Sequence, residues 1–537
     1  MPLVADPADR RLAQLWRDVV SRQLLESTGP FTLQGTPAWD LLVRLNSRLE
    51  RRAQSLAARH PNAEWLWYLR RLPRMFEIND VPSTAAYCDA IATAITNLAT
   101  ERPNPRALAP TLVYPISDRA VGSMVRLHAL TVALYEMHSA LRWAGKGADI
   151  EFRVGERPLW HPDDLLRDAV QEYDRRANLT PLSAAGLAAE SNILANPSAA
   201  DGRTVMSVSR LPRATEIPVG LPNVGVERLV ARFMPGWFPI GDYLLPNQLD
   251  VPAEIAWPAE ALALIGLLSS AVLHIAEGPP NILGICNVGY ASVHRDRVQS
   301  RLHVALQGIR DDRLGGLIPE DVSIPGADEA LSLLTECAPA LWPPNPGAPL
   351  RRAGRDTILV DFAAATQCLM RALVRPPGRA GRLGNAYGHA FEAQLQDVVD
   401  ATPWRPSEQY RSQIRRQLKL NGNTVTDIDA IAERDGTVLL LDAKCRPFTA
   451  EYDRGEHSAV RNDRNEAEKA AIAWAEKVSH FRHTRSGDNY DLTSAACIDG
   501  AVVYPFLPFT VAPRARTEVL PNLRFVTSVA ELRSALA

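Results

Sequence analysis

The stretch TDIDAIAERDGTVLLLDAKC, Thr426 to Cys445, constrains the fold more tightly than any other part of the chain, because Asp435-Gly436 sits between two apolar runs. A two-residue type I′ turn needs positive φ at both central positions, which Asp-Gly supplies, so the runs are expected to pair as an antiparallel hairpin. With Arg434 opposite Thr437, Ala432 faces Leu439, Ala430 faces Leu441, Asp429 faces Asp442 and Asp427 faces Lys444. Side chains alternate along a strand, so Ile428, Ala430, Ala432, Leu439, Leu441 and Ala443 are expected to share the core face. The acids and Lys444 fall on the other.

Two carboxylates directly opposite one another, with Cβ atoms about 5 Å apart, repel. A hard divalent ion such as Mg²⁺ relieves the repulsion, since it takes carboxylate oxygens together with waters and a substrate phosphate. The hairpin alone also allows a plain Asp427–Lys444 ion pair with one aspartate solvated at the sheet edge. Upstream, the helical segment GHAFE places Glu392 four residues after Gly388 on one helical face and offers a third carboxylate.

The rest of the chain divides by pattern. At 537 residues it is long enough for two to four domains. Residues 1–145 space apolar positions by three and four and read as mainly helical. Residues 146–374 mix strand-like pieces (DIEFRV, TVMSVSRL) with helices, among them ALALIGLLSSAVLHIA, which reads as a buried core helix because it falls short of a membrane span. The segment ILVDFAAATQCLMRALV reads as a helix, and RPPGRAGRLGN, Arg375 to Asn385, reads as a linker. Residues 375–537 then follow the order α-β-β-β-α-β. Within them YRSQIRRQLKL reads as an extended segment, and Tyr387, Phe391, Leu395 and Val398 line one side of a helix. The expected class is a multidomain protein: mainly α, then mixed α/β, then a C-terminal α/β domain.

In GHAFE, TDIDAIA and DAK, each in its expected element, the chain resembles the PD-(D/E)XK nuclease superfamily, with its restriction-endonuclease-like fold, over about residues 383–510. The resemblance implies a metal-dependent phosphodiesterase. Asp429, Asp442 and the Ala443 carbonyl would ligate Mg²⁺, with Mn²⁺ as the alternative. Glu392 would bind the metal directly or through water, and Lys444 would orient the attacking water and stabilise charge on the phosphoryl group. It further implies a DNA endonuclease of a bacterial restriction or anti-phage defence system. The chain departs from the family pattern in carrying Asp442 where glutamate is commoner. Lys469 is the candidate for the basic group on the following helix, though NEAEKA is equally a solvated face.

Two other readings stay open: a ribonuclease with the same metal site, and a non-catalytic nucleic-acid-binding or assembly subunit on a nuclease-like scaffold. A decayed domain is expected to lose a ligand or the lysine, and all four side chains are present. Formal net charge is only −2, so phosphate contacts must come from local basic clusters. Arg375, Arg379, Arg382, Arg411, Arg415, Arg416 and Lys419 are the candidates nearest the hairpin, and a solubilising surface is their plainer role. Arg44, Arg48, Arg51 and Arg59 form a second stripe, followed by Arg70, Arg71 and Arg74; Trp65, Trp67 and Tyr68 read as core. His457, His480 and His483 match no zinc spacing. No Walker-type phosphate loop occurs, so a partner would have to supply any motor action. The partners expected are nucleic acid, DNA first, a protein partner or activator engaged by the N-terminal region, and a second copy of the chain, without a membrane. Six dispersed cysteines and a start lacking a secretory pattern lead to a cytoplasmic expectation.

Overall fold

The computed structural model describes residues 2–21, 29–71, 82–99, 117–177, 204–218, 228–240, 257–276, 279–374, 382–446 and 449–537. Among the described residues the chain opens on the helices α1 (Pro2–Val19), α2 (Gly35–Ala57), α3 (Asn62–Arg71), α4 (Pro82–Asn97) and α5 (Asp118–Lys146), the last of them buried over most of its surface. Leu42, Leu45 and Leu49 of α2 meet Trp65 of α3, Ile91 of α4 and Leu134 and Met137 of α5 in one core, where Trp67 and Tyr68 are also buried. The Ser117 hydroxyl accepts the Ala120 N–H at 3.2 Å to start α5, and Gly147, at φ 102°, ends it.

The boundary expected between residues 145 and 146 falls inside this unit. β1 (Phe31–Leu33) pairs antiparallel with β2 (Asp149–Phe152), and β2 with β3 (Leu159–His161). Phe31 stacks on Phe152 at 5.4 Å. The strand thus returns to cover the helical core, a pairing across more than a hundred residues that local periodicity does not encode. α6 (Asp164–Ala177) then packs on the C-terminal unit: Val170 joins Val460 and Phe509, Arg176 Nε reaches Glu531 at 2.7 Å, and Glu172 accepts from Arg516 at 2.7 Å.

The middle unit is mixed α/β. β4 (Thr204–Pro218) and β5 (Arg228–Pro239) form a long hairpin, followed by α7 (Ala259–Ala276), α8 (Pro279–Val288), β6 (Tyr290–His294), α9 (Arg295–Gly316) and α10 (Ala327–Glu336). Short β7 (Ala340–Leu341) and β8 (Pro344–Asn345) precede β9 (Leu350–Arg352), β10 (Thr357–Asp361) and α11 (Phe362–Val374). β6, β10 and β9 form a three-stranded sheet with β10 central. α7 lies in the core, Leu262, Ile265 and Leu268 being buried. The segment expected as one helix from Ile358 is instead strand to Asp361 and helix from Phe362, because Ile358, Leu359 and Val360 complete the sheet between β6 and β9. No helix among the described residues is long and apolar enough to cross a membrane.

The C-terminal unit runs α12 (Arg382–Asp400), α13 (Glu408–Arg411), β11 (Leu418–Leu420), β12 (Asn423–Thr426), β13 (Ala430–Arg434), β14 (Thr437–Ala443), α14 (Ala450–Asp453), α15 (His457–His483), β15 (Cys497–Tyr504), β16 (Glu518–Leu520), β17 (Leu523–Arg524), β18 (Val526–Ser528) and α16 (Val529–Leu536). Its main sheet has the order β13-β14-β15-β18, the first pair antiparallel and the other two parallel. The stretch expected as an extended segment from Tyr410 splits between α13, a turn and β11, which pairs with β12 in a separate two-stranded sheet. Of the expected linker, residues 375–381 lie outside the described residues.

Both faces of this sheet are covered. Phe391 and Leu395 of α12 and Leu532 of α16 pack on Ala432, Leu439 and Leu441. Trp474 and Val478 of α15 pack on Ile431, Val438 and Leu440. Gly500 permits the second contact: a Cβ there would stand 2.9 Å from the Leu440 carbonyl oxygen and closer still to Val478. Gly500→Ala is therefore expected to cost about 2 kcal/mol through overpacking, read as a lower urea midpoint at unchanged m-value.

Candidate functional site

The hairpin turns as its sequence dictates, with Asp435 at φ 50° and Gly436 at φ 76°. The register is that of the turn: Arg434 opposite Thr437, Ala432 opposite Leu439, Ala430 opposite Leu441. Beyond Ala430 the ladder opens. The Asp429 N–H bonds the Leu441 carbonyl at 3.1 Å, and the Ile428 carbonyl accepts from Arg415 N–H at 2.7 Å. Ala443 N–H, which a regular ladder would give to a backbone carbonyl, donates to Asp429 Oδ2 at 2.7 Å. Ile428 accordingly leaves the face assigned to it and packs with Ile431, Val438 and Leu440 on the α15 side.

The opening brings the acidic groups to one end of the sheet. Asp429 is buried, and its carboxyl is pushed up to about 7, first by burial and then by the charges of Asp442 and Glu392, against the opposing pull of Ala443 N–H and Lys444. Burial also raises Asp442, with Asp427 and Glu392 acting the same way and Lys444 opposing. Glu392, half-buried on α12, is near enough for its charge to act on Asp429, Asp442 and Lys444, and its carboxylate lies 3.5 Å from His389 Nδ1.

Lys444 does not pair with Asp427. Its Nζ lies 2.8 Å from Asp442 Oδ1 and 3.3 Å from the Ala443 carbonyl, while its backbone N–H is held by Val503 of β15 at 2.9 Å. Two residues apart on one strand, Asp442 and Lys444 share a face and meet directly, whereas Asp427 lies where β13 has already parted from β14. Burial alone would lower the lysine; Asp442, Asp429 and Glu392 together outweigh it and raise the ammonium above its ordinary range.

Among the described residues, no group of three or more His, Cys, Asp or Glu side chains stands ready-made around a metal position. The donor set nevertheless fits a hard divalent ion: carboxylates of Asp429, Asp442 and Glu392 beside the Ala443 carbonyl are all oxygen donors, and their mutual repulsion is what such an ion removes.

The basic candidates fare unevenly. Arg411 is bound in a two-pronged pair to Asp400, at 2.7 and 2.8 Å, which braces the end of α12. Arg415, at φ 54°, turns its guanidinium to the Ala393 carbonyl. Arg416 and Lys419 are exposed. Lys469 is exposed and 3.3 Å from Glu466, as a solvated helical face requires. Arg375, Arg379 and Arg74 lie outside the described residues, as does the side chain of Arg382. On the N-terminal bundle Arg44, Arg51 and Arg59 are exposed, and Arg48 caps the Val19 carbonyl at 3.0 Å.

Three contributors escaped the sequence. Gln396 of α12 accepts from Ile431 N–H at 2.9 Å and donates to the Ile431 carbonyl at 3.2 Å, closing the outer edge of β13. Asp463 and Glu466, one turn apart on α15, hold Arg446 at 3.4 and 3.2 Å, two residues beyond Lys444. The i, i+3 acid spacing in NDRNEA was the available signal for that pair. No protein-family model, curated protein or solved structure matches this chain.

Proposed function

We propose that the C-terminal unit is a metal-dependent nuclease, a phosphodiesterase of the restriction-endonuclease-like kind acting on DNA in a restriction or anti-phage setting. The observation that carries the reading is the gathering of Asp429, Asp442, Glu392 and Lys444 at the point where β13 leaves β14. Carboxylates raised by burial and by neighbouring acids, as Asp429 and Asp442 are, are expensive to keep, and functional sites are where such groups collect.

Bound between these oxygens, Mg²⁺ or Mn²⁺ would supply Lewis acidity to the scissile phosphate and the attacking water. The chain's own residues do the remaining work. Ala443 N–H holds the Asp429 carboxylate in place, and β15 holds the backbone on which Asp442 and Lys444 sit. Lys444 stays protonated at neutral pH because three carboxylates favour its charge. It therefore cannot accept the proton from water, and its part is to orient the water and stabilise negative charge as it develops on the phosphoryl oxygens.

Lys444→Met is expected to slow cleavage about 100-fold or more, the usual loss when a preorganised charge-stabilising donor is removed. Purified protein would be incubated with plasmid, single-stranded DNA and RNA in Mg²⁺, Mn²⁺ or EDTA, beside Lys444→Met and Asp442→Ala. Metal-dependent cleavage lost in both variants supports the reading. RNA cut in preference to DNA would replace the substrate class. A chain that cuts nothing and binds no Mn²⁺ by calorimetry would be a scaffold.

A further inference from the structure

Away from the C-terminal sheet, guanidinium groups converge on the seam between α3 and the β4–β5 hairpin. Arg70 is wholly buried. Its Nη2 bonds both Asp361 oxygens, at 3.1 and 3.3 Å, and its Nη1 lies 3.9 Å from Asp89, too far for a hydrogen bond. Arg210 of β4 pairs with the same Asp89, and both guanidinium groups flank the Phe233 ring, at 5.0 and 5.7 Å. Arg71 donates to the Tyr290 hydroxyl at 2.8 Å and lies over Trp67 at 4.4 Å. Arg232 of β5 reaches Asn287.

Two of these residues carry unmet donors. Arg70 Nε and Nη1 and Arg232 Nε are buried without a hydrogen-bond partner among the described residues. Buried N–H groups of a charged side chain are destabilising when nothing accepts them. The cations also oppose one another: Arg210 is lowered by burial and by Arg70 against the opposing pull of Asp89, while Arg232 is lowered by burial and then by Arg71 and Arg210. The half-buried Arg71 and Arg232 lie at the outer side of the cluster. What fits is a compact group with several acceptor oxygens, no donors and more than one negative charge, which guanidinium forks engage in pairs.

We infer that this seam binds a phosphoryl anion, either free phosphate or the phosphate chain of a nucleotide, coordinated by Arg70 and Arg232 with Arg71 and Arg210 beside them. The inference is independent of the C-terminal reading.

Calorimetric titration of the full chain with sodium phosphate, and separately with ATP, both in EDTA and against sodium chloride at matched ionic strength, tests it. Binding with Kd below about 1 mM is expected. Arg232→Gln and Arg71→Gln, chosen because neither residue is fully buried, should each weaken it about tenfold or more, the loss expected for one charged hydrogen bond. Their circular dichroism and melting temperature should stay at parental values, and Asp442→Asn should bind as the parent does. Binding of both probes assigns the site to phosphate alone, and binding of ATP only assigns it to a nucleotide. Neither probe binding, or affinity unmoved in both arginine variants, overturns the inference.

Discussion

Asp429→Asn is expected to raise the melting temperature of the metal-free protein at pH 8 and to abolish cleavage. The folded carboxyl titrates at about 7 because it is buried near Asp442 and Glu392, against about 3.9 in an unfolded chain. Below pH 4 both states are protonated and the group contributes nothing. Between pH 4 and 7 the unfolded state ionises while the folded state keeps its proton, so stability falls as pH rises, and above pH 7 the full penalty, about 4 kcal/mol at most, is in place. Asparagine removes the charge and keeps an oxygen for the Ala443 N–H that Asp429 accepts. The parent should therefore lose stability from pH 5 to 8 in EDTA more steeply than the variant. Added Mg²⁺ should restore the parent and leave the variant unmoved, since a cation bound there offsets a penalty the variant lacks. Parallel pH profiles for the two chains in EDTA would show that the carboxyl is not held against burial.

Asp361→Ala is expected to be the most destabilising single change in the N-terminal two thirds. Asp361 is fully buried, pairs with Arg70 at 3.1 Å, and accepts the Ala364 N–H at 3.0 Å as the cap of α11. Removing one partner of a buried ion pair strands the other and costs about 3–5 kcal/mol, and losing the cap adds about 1 kcal/mol. Because Arg70 sits on α3 and Asp361 between β10 and α11, the damage should appear as separation of the helical unit from the middle unit: faster limited proteolysis and a lower first transition in urea. Arg70→Met combined with Asp361→Leu should recover much of the loss, since neither charge is then stranded. A single-variant loss below about 1 kcal/mol would mean the pair has no net weight.

The C-terminal hairpin was legible because its determinants are short-range. Asp435-Gly436 selects a turn, the turn selects a register, and strand alternation places Asp442 and Lys444 on one face, as they are found. The same logic failed at Ile428 and Asp427, two and three residues before the last ladder pair, because the Arg415 N–H takes the Ile428 carbonyl and the Asp429 carboxylate takes the Ala443 N–H. Helices marked by apolar spacing were equally readable, including the buried α7 and the aromatic α3. Arg411 stands in a basic run, and nothing local announces that Asp400, eleven residues earlier, holds it.

By itself, then, the sequence determined the turn, its register, the helical periodicity of the N-terminal third and the presence of three carboxylates and a lysine in and beside the hairpin. Tertiary structure alone decided that Asp429 caps Ala443, that β2 returns to β1, and that Arg70 meets Asp361. The reason is range: dihedral preference and side-chain alternation act over a few neighbouring residues. Burial, and with it the cost of a charge and the choice of its partner, depends on elements hundreds of residues apart in the chain.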